Sequence, residues 1–414
     1  MTVVGPVEPV ARVRGPWIGR FAAAWLGVWL AQTTVIQLLL PAQVEEAGGR
    51  SGLLDTIARF GWVSAIAGVA ALIAFPLVGA LSDATVSRFG RRRPWIAVGT
   101  VLFAAGLLLL GVQTTIGGIA AAWSIALVGF AAVSSALTAL IADQVPVDQR
   151  GTVSAFVSAP QAVGTIVGLV LVEAAALAAP GSYALVAAVL VLLVVPLVVS
   201  LPDPQPLAAG APVGIAQITG SLWIDPRTHP DFAWTLLGRL LVNLGNALGT
   251  SLLLYFLSAG LGDPNAEADL IPLVLVYLVC LVVGTLVAGR ASDRTGRRRV
   301  FVAVAAVLQG VAGAVLAVAP AYGTALVAAA FLGAGYGVFL SVDQALATQV
   351  LPDAADRGKD LGIMNVALAV PQAFGPIVGA ALMLLFGGFA ALFVGAAVLS
   401  ALGALSVARV RSVA

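Results

Sequence analysis

Arg239, Asn243, Asn246 and Thr250 stand at i, i+4, i+7 and i+11 of an otherwise apolar run. That spacing stacks them on one face of a helix. Amide groups that donate and accept at once suit a neutral polyhydroxyl ligand. Trp29 and Gln32, with Trp25 and Thr33 beside them, put aromatic plates next to an amide in a second run. Tyr336, Asp343 and Gln344 make a third polar group. A lone carboxylate such as Asp343 can take up and release a proton as a cation approaches or withdraws, and Arg239 is the cation at matching depth. Each polar residue also has a plainer reading. Ser, Thr, Asn and Gln commonly hydrogen-bond between helices in membranes, and Arg239 with Asp343 would then be a fixed structural pair.

The elements that must carry these residues are apolar and long. The 414-residue chain is 60% hydrophobic and 10% charged, with mean hydropathy +1.05. About 20 apolar residues cross a bilayer as a helix. Twelve such runs are legible, at 17–40, 60–82, 94–114, 116–142, 152–178, 182–201, 233–257, 270–290, 299–319, 322–350, 361–386 and 388–408. The first follows Arg12 and Arg14 but is too long for a signal peptide's apolar core, and eleven more runs follow it. The expected fold is an all-α membrane protein of twelve transmembrane helices in two pseudo-symmetric six-helix bundles. Net charge is +2, so no broad cationic face exists to bind nucleic acid. His229 is the single histidine and Cys280 the single cysteine, which leaves no metal cluster, no disulfide framework and no expected cofactor. A soluble catalyst is excluded, because no soluble stretch is long enough to hold an active site.

Charge concentrates in "GALSDATVSRFGRRRPWI", residues 79–96, where Arg88, Arg91, Arg92 and Arg93 crowd together. With both termini cytoplasmic, Arg50 and Arg59 fall outside and every other Lys and Arg falls inside or at an inner helix end. That asymmetry orients a multi-pass protein in the cell membrane. Charge bias alone does not dictate residue order, yet the order recurs. "GRASDRTGRRR" at 289–299 matches Asp83 with Asp293, Gly90 with Gly296 and Arg91–Arg93 with Arg297–Arg299. "APQAVGTIVG" at 159–168 matches "VPQAFGPIVG" at 370–379, and "ALIADQVP" at 139–146 pairs with "ALATQVLP" at 345–352. Repeats in one order mean a duplicated half. The expected domains are residues 1–201, a cytoplasmic linker at 202–232 rich in Pro, Gly and charge, and residues 233–414. Duplicated halves imply a substrate site between them that is exposed alternately to each side.

"GRASDRTGRRR" resembles the signature loop of the major facilitator superfamily, G-x-x-x-D-R-x-G-R-R. The longer "SDATVSRFGRRRPWI" resembles the sucrose transporters and the glycoside–pentoside–hexuronide cation symporters. "ALIADQ" resembles the former group, as does "LPAQVEEAGG". Ala84 departs from the pattern, which usually has a basic residue there. The resemblance implies that Asp83, Arg91, Asp293 and Arg297 are gate residues. It also implies that spans 1, 4, 7 and 10 line the pathway. The expected substrate-binding residues are Trp29, Gln32, Asn243, Asn246, Tyr336 and Gln344. Asp343, Arg239 and Asp143 are the expected proton-coupling residues. Glu173, about 21 residues along its helix, lies near the outer surface at ~31 Å from the inner start.

The expected function is secondary active transport by alternating access, as proton-coupled symport of a sugar or glycoside. The alternative is proton-driven efflux of drugs or apolar metabolites, favoured by an otherwise greasy pathway. The expected partners are a small-molecule substrate, a coupling cation (H+) and the lipid bilayer, with the protein acting as a monomer.

Overall fold

The computed structural model describes residues 12–49, 52–85, 87–201, 227–295, 297–349 and 357–410. Most of the expected linker, 202–226, lies outside the described residues, as does Gly296. Every regular element among the described residues is helical. In chain order we number them α1 (Gly15–Thr34), α2 (Leu53–Ala84), α3 (Arg93–Gly111), α4 (Ile116–Gln144), α5 (Val147–Ala175), α6 (Ala179–Ser200), α7 (Pro230–Ser251), α8 (Ala266–Thr295), α9 (Arg298–Val318), α10 (Tyr322–Gln349), α11 (Arg357–Phe386) and α12 (Gly388–Ala408). α1 runs on through a π turn, Val35–Leu39, into Leu40–Gly48. α7 likewise continues through Leu253–Tyr255 into a π turn, Phe256–Gly260.

Among the described residues, ten helices are long and apolar enough to cross a membrane. α5 and α11 carry shorter apolar stretches, Pro160–Ala175 and Phe374–Phe386. Their first turns hold Asp148 and Arg150 in one case and Arg357, Lys359 and Asp360 in the other. At 29 and 30 residues each helix is still ~45 Å long, which exceeds a bilayer's hydrocarbon thickness. Large apolar side chains are exposed along these helices: Trp62, Ile66, Val69 and Ile73 on α2, and Val279, Val283, Leu286 and Val287 on α8.

Two compact units result. The first comprises Met1–Leu39 with Ile73–Gly214, and the second Leu40–Leu72 with Ile215–Ala414. In the first unit α1 packs on α5 and α6, and α3 on α4 and α6. In the second, α8 packs on α10, α9 on α10 and α12, and α7 on α11 and α12. Leu40–Leu72 joins the second unit through specific contacts. The Tyr255 hydroxyl donates to the Pro41 carbonyl at 2.9 Å, Phe60 meets the Tyr255 ring edge-on at 5.7 Å, and Gly61 lies against Ile377.

Hydrocarbon offers helices no hydrophobic reason to associate, so close backbone approach must supply the contact. The repeated P-Q-A segment does this in each unit. Gly164 of α5 comes so near Leu26 and Leu30 of α1 that a Cβ would lie 3.0 Å from both backbones, and Gly168 abuts Thr34. On α11, a Cβ at Gly375 would lie 2.9 Å from Ala247 of α7, and one at Gly379 would lie 2.8 Å from Leu252. Pro160 and Pro371 stay inside continuous helices, four residues before the first glycine of each pair. Along α10, Gly333 and Gly337 press against the carbonyls of Tyr277 and Leu281 on α8.

Adding a methyl at Gly333 should therefore push α8 away from α10. Overpacking of this kind costs about 1–3 kcal/mol. Gly333→Ala is expected to lower the unfolding temperature of the purified protein in detergent. Gly310→Ala, with nothing within 4 Å of its Cβ position, is expected to leave that temperature unchanged or raise it, as measured by intrinsic fluorescence on heating.

Candidate functional site

α7 is turned by its glycines. Gly238 and Gly245 face α12, where a Cβ would meet Val407 at 2.6 Å and Ser400 at 2.5 Å. Close packing on that side leaves Arg239, Asn243 and Asn246 on a neighbouring side, directed at α10 and α8. Arg239 and Asp343 meet with Nη2 to Oδ2 at 3.1 Å, and their side chains are 1% and 2% exposed. This is an ion pair shut away from solvent, where both charges lose hydration and each depends on the other. The pair is close but poorly aligned. Nε, Nη1 and Nη2 of Arg239 and Oδ2 of Asp343 all lack an aligned hydrogen-bond partner.

The two asparagines are held by tyrosines. The Tyr336 hydroxyl on α10 donates to Asn243 Oδ1 at 2.7 Å, while Asn243 Nδ2 donates to the Arg239 carbonyl at 2.7 Å. The Tyr277 hydroxyl on α8 donates to Asn246 Oδ1 at 3.1 Å. Thr250 turns back to the Asn246 carbonyl at 3.0 Å. Each asparagine oxygen is thus spent on a neighbouring helix, and Asn246 keeps its NH2. Tyr277 could not be singled out from the sequence, because one tyrosine within a run of Leu and Val carries no spacing signal. Gln344 follows Asp343 on α10, but its side chain lies outside the described residues.

The first unit presents an aromatic ladder. Trp17, Phe21, Trp25 and Trp29 recur every fourth residue of α1, with successive ring centroids 5.0, 6.4 and 5.9 Å apart. Trp29 meets Phe130 of α4 edge-on at 5.8 Å, and Phe130 in turn meets Phe75 and Phe103. The indole N–H groups of Trp25 and Trp29 have no acceptor. Gln32 is buried beside them. Thr33 donates to the Trp29 carbonyl at 2.7 Å and receives the Thr165 hydroxyl at 3.0 Å. Trp17 and Phe21 extend the pair of tryptophans read from the sequence; the i, i+4 recurrence was the signal that could have found them.

At the end of the first unit that carries the arginines, Arg92 is the buried member of its cluster, 4% exposed. Its Nε meets Asp143 Oδ2 at 2.6 Å and its Nη1 donates to Ser82 Oγ at 2.5 Å. Arg91 donates through Nε to the Ser82 carbonyl at 3.3 Å. Gly90, at φ +96°, makes the turn that brings the arginines back onto α2. Three consecutive arginines gave no sequence ground for choosing Arg92 over Arg91. Asp143 is thereby placed at a helix end with Arg92, apart from the Arg239–Asp343 pair of the second unit. Asp83 and Asp293 sit in the last turns of α2 and α8, and their side chains lie outside the described residues. Arg297 is exposed immediately before α9.

The sequence matches the profile of the Major Facilitator Superfamily over residues 21–271 and 239–413, which together span nearly the whole chain. This chain belongs to that superfamily. It is accordingly a multi-pass membrane transporter of small molecules and not an enzyme. Its fold is similar to a mutant form of the nucleoside transporter NupG, with TM-score 0.72 and 14% identity over 94% of this chain and 99% of that one. It is also similar to the human organic anion transporter MFSD10 (TETRAN), with TM-score 0.69 and 19% identity over 95% of this chain and 99% of that one. At these identities the likeness is one of fold, and this facilitator's site has to be read from its own residues.

Removing one member of a buried ion pair strands the other, at about 3–5 kcal/mol, whereas replacing both with apolar groups is often neutral. Arg239→Leu or Asp343→Leu is expected to lose most folded material on size-exclusion chromatography. Arg239→Leu combined with Asp343→Leu is expected to recover it.

Proposed function

We propose that this facilitator is a proton-coupled symporter of a polar, ring-bearing solute of the sugar or glycoside kind. The buried Arg239–Asp343 pair, one helical turn from Asn243, is the observation that carries this reading. While Arg239 stays close, Asp343 remains ionised. When the pair separates within the dry interior, the carboxylate takes a proton. Arg239's own carbonyl is tied to the Asn243 amide, so a shift of one residue is felt by the other.

In the second unit Asn246 Nδ2 is a donor, and in the first unit the indoles of Trp25 and Trp29 are flat apolar plates with Gln32 on the same helix; these are group types that a sugar ring uses. Tyr336 and Gln344 complete the substrate-binding set, with Tyr336 also orienting Asn243. Asp83 with Arg91 and Asp293 with Arg297 act as gates on the arginine-bearing face, and Arg92 with Asp143 holds the first of these loops. That face is cytoplasmic, together with both termini, in the cell membrane. The unbroken aromatic ladder on α1 also fits a second reading, proton-driven export of apolar compounds.

The deciding experiment uses Asp343→Asn in proteoliposomes. The variant strands Arg239 but keeps the side chain's shape, so the fraction that folds is isolated by size-exclusion chromatography; that fraction is expected to exchange labelled substrate across the membrane yet to lose accumulation driven by a pH gradient. Accumulation that survives would move coupling to another carboxylate, with Asp143 the next to test. Tight binding of lipophilic cations with no binding of sugars would favour export.

A further inference from the structure

We infer that the solute carries a carboxylate and that Arg239 is the group that receives it; this rests on the transport reading above and narrows its substrate. A guanidinium presents five N–H donors in a planar fork. Arg239 is 1% exposed, and none of its three nitrogens has an aligned acceptor. Asp343 balances the charge through a single oxygen at 3.1 Å and leaves the fork unfilled. Buried donors left in this state are costly, so the arrangement is suited to a state in which something else fills them.

Among the described residues, the two asparagines nearest along α7 supply no such acceptor. Asn243 Oδ1 is taken by Tyr336, and Asn243 Nδ2 is itself a donor. Asn246 Oδ1 is taken by Tyr277, which leaves an NH2. A ligand complementary to these groups is rich in acceptors. A carboxylate fits best, because its two oxygens match two parallel N–H groups of a guanidinium. A hydroxyl fills at most one of those positions well, and a cation is repelled.

Charge balance then links the ligand to the proton. Arg239 with ionised Asp343 is neutral, and a bound monoanion would leave one buried negative charge. Protonation of Asp343 restores neutrality, so one proton enters with each carboxylate. Among the described residues, the groups bearing on Asp343 include Arg239 from α7 and the Tyr336 hydroxyl on its own helix. The other cations on helices packed against α10 are Arg290 and Arg294 of α8 and Arg298 and Arg299 of α9. The side chains of Arg357, Lys359 and Asp360 on α11 lie outside the described residues.

The test is calorimetric titration of the full-length protein in lipid nanodiscs at pH 6 with three matched pairs: benzoate and benzamide, lactate and lactamide, glucuronate and glucose. At least one carboxylate is expected to bind ten-fold or more tightly than its uncharged partner, with uptake of one proton. Arg239→Gln should abolish that preference. Because this variant strands Asp343, the double variant Arg239→Gln/Asp343→Asn is measured beside it and is expected to fold while showing no preference. The proposal is overturned if no carboxylate is preferred, or if the preference survives in the double variant. A neutral sugar that binds with proton uptake dependent on Asp343 would sink this inference and leave the transport reading standing. Wild-type protein that accumulates no solute under a pH gradient would instead sink the transport reading.

Discussion

Helices in hydrocarbon satisfy their own backbones but have no hydrophobic drive to associate, and this constraint organises the whole molecule. Contact has to come from backbones brought close together, and glycine is what permits it. Gly164 and Gly168 hold α5 on α1, while Gly375 and Gly379 hold α11 on α7. Gly238 and Gly245 set α7 against α12, and Gly333 and Gly337 set α10 against α8. The polar residues of α7 are positioned as a consequence. With its glycines facing α12, its Arg and Asn side chains are turned toward the tyrosines and the aspartate of α8 and α10.

The two units answer the same constraint with different chemistry. In the first, the interior face of α1 is a stack of rings, with polar contacts such as Thr33 with Thr165 and Trp17 with Gln144. In the second, the matching helix carries an ion pair and two Asn–Tyr hydrogen bonds. Duplication therefore preserved the packing devices, the P-Q-A-x-G segments and the π turns of α1 and α7, while the side chains aimed at the interior diverged. Packing is shared because both halves meet the same lipid.

A buried charge in a membrane protein costs most when it stands unpaired. The Arg239–Asp343 pair answers that cost only in part, because its charges match while its hydrogen bonds do not align. The Arg92–Asp143–Ser82 cluster differs in kind. It is at a helix end, Asp143 is partly open to solvent, and its bonds are short and aligned. The contrast is between a cluster whose bonds are aligned and a pair whose nitrogens lack aligned partners among the described residues. In the sequence Arg92 stood within a run of arginines and Arg239 stood alone, and neither pattern named the carboxylate each would meet.

Much was legible from the sequence by itself. Twelve apolar runs, the repeated arginine loops and the P-Q-A-x-G repeat were enough to specify an all-helical, duplicated membrane transporter, because hydrocarbon thickness and internal hydrogen bonding leave a chain of this composition few alternatives. The one-face spacing of Arg239, Asn243 and Asn246 was legible for the same reason, since helical periodicity is local. Tertiary structure decided what those side chains meet. Only there did Tyr277 become the partner of Asn246, Arg92 the buried arginine of three in a row, and Leu40–Leu72 a part of the second unit. Those outcomes depend on which helices approach and at what rotation. Glycine contacts between residues far apart in the chain set both, and no local pattern encodes them.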